Sequence, residues 1–216
     1  MSNPWFTLPL AEYEAHMALP SIGQAQLIAG LLERLVQALS PTSVAVLGCA
    51  GGNGLERLVG TSIERVVALD INPLYVNAAR ERFRNRFSTT EFVVADIRDV
   101  KPMFEPVELI YAALIFEYVD LHQALRFMYL HCQTTGSLAA VLQMPSNSIT
   151  DVTPSPYRSL RSLEPIMRLV APDELRHYAS ETGFSQVSSR VLLSPGGKEF
   201  SLEEFQKGAT TVNSRP

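Results

Sequence analysis

Cysteine, tryptophan, positive charge and long apolar runs are all scarce in this sequence. Its two cysteines, Cys49 and Cys132, form neither a metal-ligand spacing nor a disulfide framework, which favours a reducing compartment and predicts no metal site. No apolar stretch approaches the roughly 20 residues that span a bilayer. The first residues lack the basic start and apolar run of a signal peptide, so we expect a cytoplasmic protein with no membrane partner.

The charge balance does not indicate a basic surface that would bind long nucleic acid. The 18 basic and 22 acidic side chains leave a formal net charge of −4. Four arginines alternate along one predicted helix: Arg80, Arg82, Arg84 and Arg86. Phe83 and Phe87 interrupt them as an apolar pair one helical turn apart, which indicates a solvated helix face and not a binding stripe. A small molecule is therefore the expected partner, and the oligomeric state stays open.

Strand-like and helix-like segments alternate along the 216 residues, which predicts a single α/β domain. The predicted helices cover 10–18, 21–39, 53–59, 73–86, 120–132 and 172–182. The predicted strands cover 43–48, 65–70, 91–95, 107–113, 137–143, 186–193 and 198–202. Nearly continuous apolar strands indicate a mostly parallel sheet covered by helices on both faces, and the final hairpin predicts a terminal antiparallel strand. A Pro/Ser/Thr-rich loop at 145–160 is long enough to be functional.

A glycine-rich turn follows the first predicted strand in Ser-Val-Ala-Val-Leu-Gly-Cys-Ala-Gly-Gly-Asn-Gly, residues 43–54. Glycines between a strand and a helix let a ligand approach bare backbone and expose the helix N-terminus to it. The turn therefore predicts a cofactor crevice. The nicotinamide fingerprint Gly-x-Gly-x-x-Gly would need its third glycine at Asn53, where the register fails.

From about residue 20 to 193 the chain resembles a class I S-adenosylmethionine-dependent methyltransferase. The family's first motif is an acidic residue followed by three alternating glycines, and this chain offers Gly48, Ala50 and Gly52 there. Val46 replaces the acid and Ala50 the middle glycine, which puts the affinity for the cofactor in doubt. Cys49 stands at a position where the family accepts cysteine, and we interpret it as a small packing residue.

Two strand-end acids strengthen the resemblance. Asp70 follows Gly52 by 18 residues, close to the spacing at which such an acid accepts from ribose hydroxyls. The resemblance implies that Asp96 accepts from the adenine amino group, and that Ile71 and Ile97 enclose the adenine plane. It also implies that Ala113 lies beside the methionine part of S-adenosyl-L-methionine.

The resemblance further implies a Rossmann-like three-layer sandwich with a seven-stranded sheet. Residues 1–40 would form N-terminal helices that act as a lid, and residues 41–202 would form the core. Methyl transfer is an in-line displacement. It depends on the alignment of the nucleophile with the methyl group and on the exclusion of water, so no fixed set of catalytic residues is expected.

Acceptor-side residues are predicted where an open α/β sheet binds its ligands, beyond the carboxyl ends of the strands. Glu117 and Tyr118 follow the fourth strand and would face the acceptor. Tyr13 and His16 belong to the lid, and His16 is the preferred base because imidazole titrates near neutrality. The weaker candidates are Gln24 on the cofactor side and Tyr157 on the acceptor side.

Three functions stay open at this stage. The first is methyl transfer from S-adenosylmethionine to a small-molecule acceptor. The second is a binding protein for S-adenosylmethionine or S-adenosylhomocysteine that has the fold and no transferase activity, which Val46 and Ala50 favour. The third is a nicotinamide-dependent oxidoreductase, which the glycine register disfavours. Aminopropyl transferases share the glycine motif and the strand-end acid, but their paired acids beside the amine site are not evident.

Overall fold

The computed structural model describes residues 3–145 and 152–208. Within these residues the α-helices are α1 (Leu10–Ala18), α2 (Gln24–Leu39), α3 (Pro73–Phe83), α4 (Leu121–His131) and α5 (Pro172–Thr182). The strands are β1 (Ser43–Leu47), β2 (Arg65–Asp70), β3 (Thr89–Val94), β4 (Val107–Ala113), β5 (Cys132–Gln143), β6 (Phe184–Leu193) and β7 (Glu199–Lys207). Short 3₁₀ segments lie at Pro4–Phe6, Leu55–Leu58, Phe116–Tyr118 and Arg158–Ile166. No described helix is long and apolar enough to cross a membrane.

The strands form one seven-stranded sheet in the order β3-β2-β1-β4-β5-β7-β6. Strands β1 to β5 pair in parallel, whereas β7 runs antiparallel to both β5 and β6. The predicted mostly parallel sheet with an antiparallel last strand is confirmed. That last strand lies inside the sheet, and β6 forms the edge.

Apolar side chains on the two faces of the sheet form separate cores, which makes the fold a three-layer sandwich. One core packs α4 and α5 against one face of the sheet, through residues such as Phe127 and Leu175. The other packs α2 and part of α3 against the opposite face, through residues such as Leu32 and Ala79. All five residues of β1 are buried, as expected of a strand covered on both sides.

Local signals account for most helix ends. Asn72 caps α3 by accepting from the backbone N–H of Leu74, and Asp120 caps α4 by accepting from that of Gln123. Gly183 ends α5 in a left-handed conformation with φ of 105°. These three helix ends agree with the sequence prediction within a few residues.

Three predicted segments are wrong in extent. The helix predicted at 53–59 is only the 3₁₀ segment Leu55–Leu58, because Gly52 and Gly54 adopt φ angles of 87° and 91°, which no α-helix contains. Strand β5 starts at Cys132 instead of 137. Strand β7 continues to Lys207, so the core extends beyond the predicted limit of 202.

Candidate active site

The carboxyl ends of β1, β2 and β4 meet where the sheet order reverses. The chain moves outward from β1 to β3 on one side and from β4 onward on the other, which leaves a crevice between β1 and β4. A cavity opens there, and we name it the strand-end cavity. Its predicted lining residues are Gly48, Ala50, Asp70, Ile71, Asp96, Ile97 and Ala113. The tertiary structure thus brings together side chains that are up to 65 positions apart in the sequence.

The glycine-rich turn supplies backbone to this cavity. Gly48 adopts φ of 68°, and Ala50 adopts a left-handed φ of 47° that an alanine rarely takes. The N–H of Ala50 donates to the Asp70 Oδ2 at 2.9 Å, which joins the turn to the end of β2. The family motif's middle glycine is thus replaced without loss of the glycine-like conformation.

Two residues of the predicted motif do not line the strand-end cavity. A side chain at Gly52 would collide with the Phe83 ring, so this glycine serves the packing of the turn against α3. Cys49 is buried beneath the turn, and burial raises the pKa of its thiol well above the ordinary value. This environment fits the predicted packing role of Cys49.

The Asp70 carboxylate is held by backbone donors at the end of β2. Its Oδ1 accepts from the N–H of Asn72 and its Oδ2 from that of Ala50, both at 2.9 Å. Burial raises the Asp70 pKa above its ordinary value, while these N–H groups act in the opposite direction. Each oxygen keeps a lone pair for a further donor, and the side chain forms part of the cavity wall.

The guanidinium of Arg98 is hydrogen-bonded to the carboxylate of Asp96. Its Nε lies 3.0 Å from both Asp96 oxygens, and its Nη2 reaches Oδ2 at 2.5 Å. Burial would raise the Asp96 pKa, but the bonds to Arg98 outweigh it and hold the pKa below its ordinary value. Both residues line the cavity, so a donor that approaches Asp96 shares it with the guanidinium or displaces it.

The N-terminal segment forms the outer wall of the site. Trp5 and Tyr13 line the strand-end cavity, and their rings meet edge to face with centroids 5.6 Å apart. Side chains from the core hold this segment. The Asn72 amide donates to the backbone oxygen of Trp5, and the Tyr75 hydroxyl donates to that of Leu8, both at 2.8 Å.

Arg82 makes a third attachment, which corrects the reading of the arginine run as a merely solvated face. Its Nη1 donates to a carboxylate oxygen of Glu14 on α1 at 2.5 Å and to the backbone oxygen of Gly51 at 2.9 Å. One side chain of α3 therefore joins the N-terminal helix to the glycine-rich turn.

A second cavity, which we name the inner cavity, shares part of its wall with the first. Trp5, Tyr13, Leu114 and Tyr118 line both cavities. The polar residues of the inner cavity are His16, Gln24, Glu117, Gln143, Thr153 and Lys198. The structure thus gathers His16, Tyr13, Glu117 and Tyr118, the four acceptor-side candidates, around one space.

Glu117 is fully enclosed in this wall. Its Oε1 accepts from the N–H of Gln143 at 2.9 Å, whereas its Oε2 has no hydrogen-bond partner among the described residues. Burial raises the Glu117 pKa to about 7, although the backbone hydrogen-bond donors act to lower it. The cap of α4 is Asp120, so helix capping does not explain Glu117.

The reason for preferring His16 as the base is wrong. Burial, followed by the positive charge of Lys198, lowers the His16 pKa to about 4, so its imidazole is neutral near pH 7 and is a weak base. Its Nδ1 lies 2.9 Å from the hydroxyl of Ser155, a contact that orients the ring. Burial also raises the pKa of Tyr13 and of Tyr118 far above the ordinary value.

Several lining residues were not predicted. Leu114 stands directly after β4 with a left-handed φ of 55°, a strained conformation for a branched-chain residue. Trp5 belongs to the predicted N-terminal lid but had no predicted role of its own, and Lys198 lies in the last predicted strand, which had no predicted role at the site. Tyr157 lines neither cavity and packs beside Leu160 and Leu163 in a small apolar cluster. The middle of the predicted functional loop, 146–151, lies outside the described residues.

Comparisons with known proteins agree with this geometry. Residues 44–136 match the family model of a methyltransferase domain. Comparison with curated protein sequences gave no significant match.

Solved structures share the fold at low sequence identity. The N-methyltransferase NodS from Bradyrhizobium japonicum WM9, in complex with S-adenosylhomocysteine, is 18% identical with a TM-score of 0.64, over 85% of this chain and 87% of that chain. The magnesium protoporphyrin IX methyltransferase ChlM from Synechocystis PCC 6803, with the same compound bound, is 12% identical with a TM-score of 0.64, over 87% of this chain and 84% of that chain. The [4+2]-cyclase SpnF is 11% identical with a TM-score of 0.61, over 82% of each chain.

The matched range runs from the first residues of β1 into β5 and contains the glycine-rich turn and both strand-end acids. The strand order, the crevice between β1 and β4 and the solved methyltransferases of the same fold agree with that match. Residues 44–136 are thus similar to a methyltransferase domain, and the chain as a whole has the fold of solved methyltransferases.

Proposed function

We propose that the chain binds S-adenosylmethionine in the strand-end cavity and transfers its methyl group to a small molecule held in the inner cavity. The observation that carries this proposal is the convergence on one cavity of a backbone turn, two carboxylates and two isoleucines from three strand ends. Each group has the chemistry that one part of the cofactor requires.

The residues present fit the cofactor. Asp70 is fixed by two backbone donors and keeps lone pairs for a pair of ribose hydroxyls. Ile71 and Ile97 offer apolar surface to the adenine plane, and Asp96 with Arg98 lies at the same end of the cavity wall. Gly48 presents bare backbone where a side chain would press on Ile115.

The bound cofactor supplies an electrophilic methyl group on sulfur. The chain aligns the acceptor with this group and excludes water from the site. Trp5 and Tyr13 close the outer side and shield the space where the two cavities meet. Exclusion of water and alignment of the reacting atoms account for much of the acceleration in such displacements. The inner cavity favours a small acceptor because aromatic rings and buried side chains surround it.

A second candidate is a protein of the same fold with another activity or with none. Val46 in place of an acid and the left-handed Ala50 favour weakened cofactor binding. The structural similarity to a [4+2]-cyclase shows that proteins of this fold also catalyse other reactions.

Calorimetric titration with S-adenosylmethionine, S-adenosylhomocysteine and NADH tests the proposal. We expect micromolar binding of the first two and none of NADH. Binding of NADH alone would overturn the proposal, and binding of none of the three would favour a degenerate site. If the first two bind, incubation of the protein with radiolabelled S-adenosylmethionine and a library of small nucleophiles tests methyl transfer.

A further inference from the structure

Among the described residues, one fully buried side-chain oxygen in the wall of the inner cavity has no hydrogen-bond partner, and it belongs to a carboxylate. Glu117 is 2% exposed, and its Oε2 has no hydrogen-bond partner among the residues that the structure describes. Buried acceptors are nearly always satisfied in folded proteins, so an exception calls for an explanation. Its Oε1 is already held by the Gln143 N–H at 2.9 Å, which fixes the orientation of the carboxylate.

Two cationic or titratable groups in this wall have partners within the protein. The imidazole Nδ1 of His16 contacts Ser155 at 2.9 Å, and the Lys198 ammonium donates to the Gln143 side-chain oxygen at 3.2 Å. Much of the remaining wall is apolar or aromatic and includes Trp5, Met17, Tyr118, Leu160, Leu163 and Met167. The cavity therefore suits a molecule that has an apolar body and a hydrogen-bond donor directed at Glu117.

We propose that the acceptor of the methyl group carries an N–H or O–H at its reacting atom, and that Glu117 Oε2 receives this hydrogen bond and then the proton. This inference rests on the proposed function and adds the class of acceptor to it. The lone pair of the acceptor nitrogen or oxygen forms the new bond to the methyl carbon. The carbon–sulfur bond breaks with its electron pair going to sulfur, and the acceptor's proton passes to the carboxylate.

The titration of Glu117 is consistent with this role. Burial raises its pKa to about 7, so it is a stronger base than an ordinary carboxylate and still largely ionised slightly above neutrality. The titratable and charged groups that face it across the cavity are Tyr13, His16, Tyr118 and Lys198. His16 is neutral in this range and does not compete for the proton.

Three probes of equal size test the acceptor class by binding alone: 2-phenylethanol, 2-phenylethylamine and benzyl methyl ether. The first two have a donor on oxygen or nitrogen, and the ether has none. The protein is saturated with S-adenosylhomocysteine at pH 8, and binding is followed by the fluorescence of Trp5, the single tryptophan, which lines both cavities. We expect the neutral 2-phenylethanol to bind about 10-fold more tightly than the ether, as a hydrogen bond to a buried charge implies.

Glu117→Gln places an amide where the carboxylate stands and presents an N–H₂ group at the Oε2 position. This variant should lose the preference for donor-bearing probes while it still binds S-adenosylhomocysteine with unchanged affinity. Glu203→Gln is the matched control, because Glu203 is also fully buried but has partners on both oxygens in Gln186, Ser189 and Ser201. It should keep the preference of the unmodified protein.

Equal affinity for all three probes, no binding of any probe, or the same preference in Glu117→Gln would each overturn the inference. The proposed function is judged separately by the binding of S-adenosylhomocysteine. If that binding is absent, the proposed function fails; if it is present without donor preference, only the acceptor class fails.

Discussion

At the scale of single residues, Asp70 is the one on which we expect binding of the cofactor to depend most directly. Because two backbone N–H groups hold both oxygens, the side chain presents a fixed acceptor to the cavity instead of a mobile one. Preorganised acceptors lose little freedom when a ligand binds. Its position at a strand end follows from the sequence, whereas its fixation by Ala50 follows from the fold.

Asp70→Ala should weaken the binding of S-adenosylhomocysteine by about 1–3 kcal/mol, because the ribose hydroxyls lose a buried acceptor. Isothermal titration calorimetry provides the measurement. Asp173→Ala is the control, since that carboxylate is exposed on α5 and pairs only with Arg176. An unchanged affinity in Asp70→Ala would remove Asp70 from the binding site.

Ala50 stores backbone strain in the glycine-rich turn. Ala50→Gly should raise the free energy of unfolding by about 0.5–1 kcal/mol, because the left-handed φ of 47° costs alanine more than the extra freedom of glycine in the unfolded chain. Chemical denaturation measures the change. Ala78→Gly, in the regular helix α3, should lower the same quantity by a similar amount. If both substitutions changed the free energy of unfolding in the same direction, the strain argument would be contradicted.

At the scale of elements, the N-terminal segment is a wall held by side chains of the core. It packs with Leu160 and Leu163 of the 3₁₀ segment Arg158–Ile166, so two distant parts of the chain form one roof over the cavities. Asn72, Tyr75 and Arg82 attach it from beneath. The predicted lid thus has a structural basis, and its role in closing over ligands remains a prediction.

Arg82→Ala should loosen this wall with little effect on stability, because the ion pair to Glu14 is partly exposed and such pairs contribute at most about 1 kcal/mol. Acrylamide quenching of Trp5 fluorescence should increase in the variant. Arg84→Ala is the control at the C-terminal end of the same helix, where Arg84 pairs with Glu81 instead of Glu14. Similar quenching in both variants would show that Arg82 does not hold the segment.

Deletion of residues 1–19 tests the lid itself. The truncated chain should remain folded, because both faces of the sheet are covered without this segment, but it should lose methyl transfer to an acceptor once one is found. Circular dichroism checks the fold, and the radiolabel assay checks the transfer. Full activity of the truncated chain would reject the lid.

At the scale of the whole molecule, the buried Glu117 should make stability depend on pH. Its pKa is about 7 in the folded protein and 4.5 for the free side chain, so the folded state binds the proton more tightly. This contribution is fully present below pH 4.5 and is lost as the pH rises through 7. The free energy of unfolding should therefore fall over this interval by up to roughly 3 kcal/mol.

Glu117→Gln removes this dependence, so the variant should become more stable relative to the unmodified protein as the pH rises from about 4.5 to 8. Denaturation curves at several pH values, compared with those of Glu203→Gln, measure the difference. A constant difference across the interval would contradict the raised pKa.

The sequence by itself determined the order of most elements, because strand and helix periods and caps such as Asn72 act locally. It also located the strand ends that carry Gly48, Asp70 and Asp96, since parallel strands place their carboxyl ends at one edge of a sheet. The helix predicted from the sequence after β1 was too long, because Gly52 and Gly54 break the helical conformation there.

Only the tertiary structure decided the environment of each side chain. It paired Asp96 with Arg98, enclosed His16 and so lowered its pKa, and left one oxygen of Glu117 without a partner. It also placed Trp5 of the predicted lid and Lys198 of the last predicted strand in the wall of the inner cavity. Desolvation and pairing depend on neighbours distant in the chain, whereas residue periodicity reports only on neighbours along it.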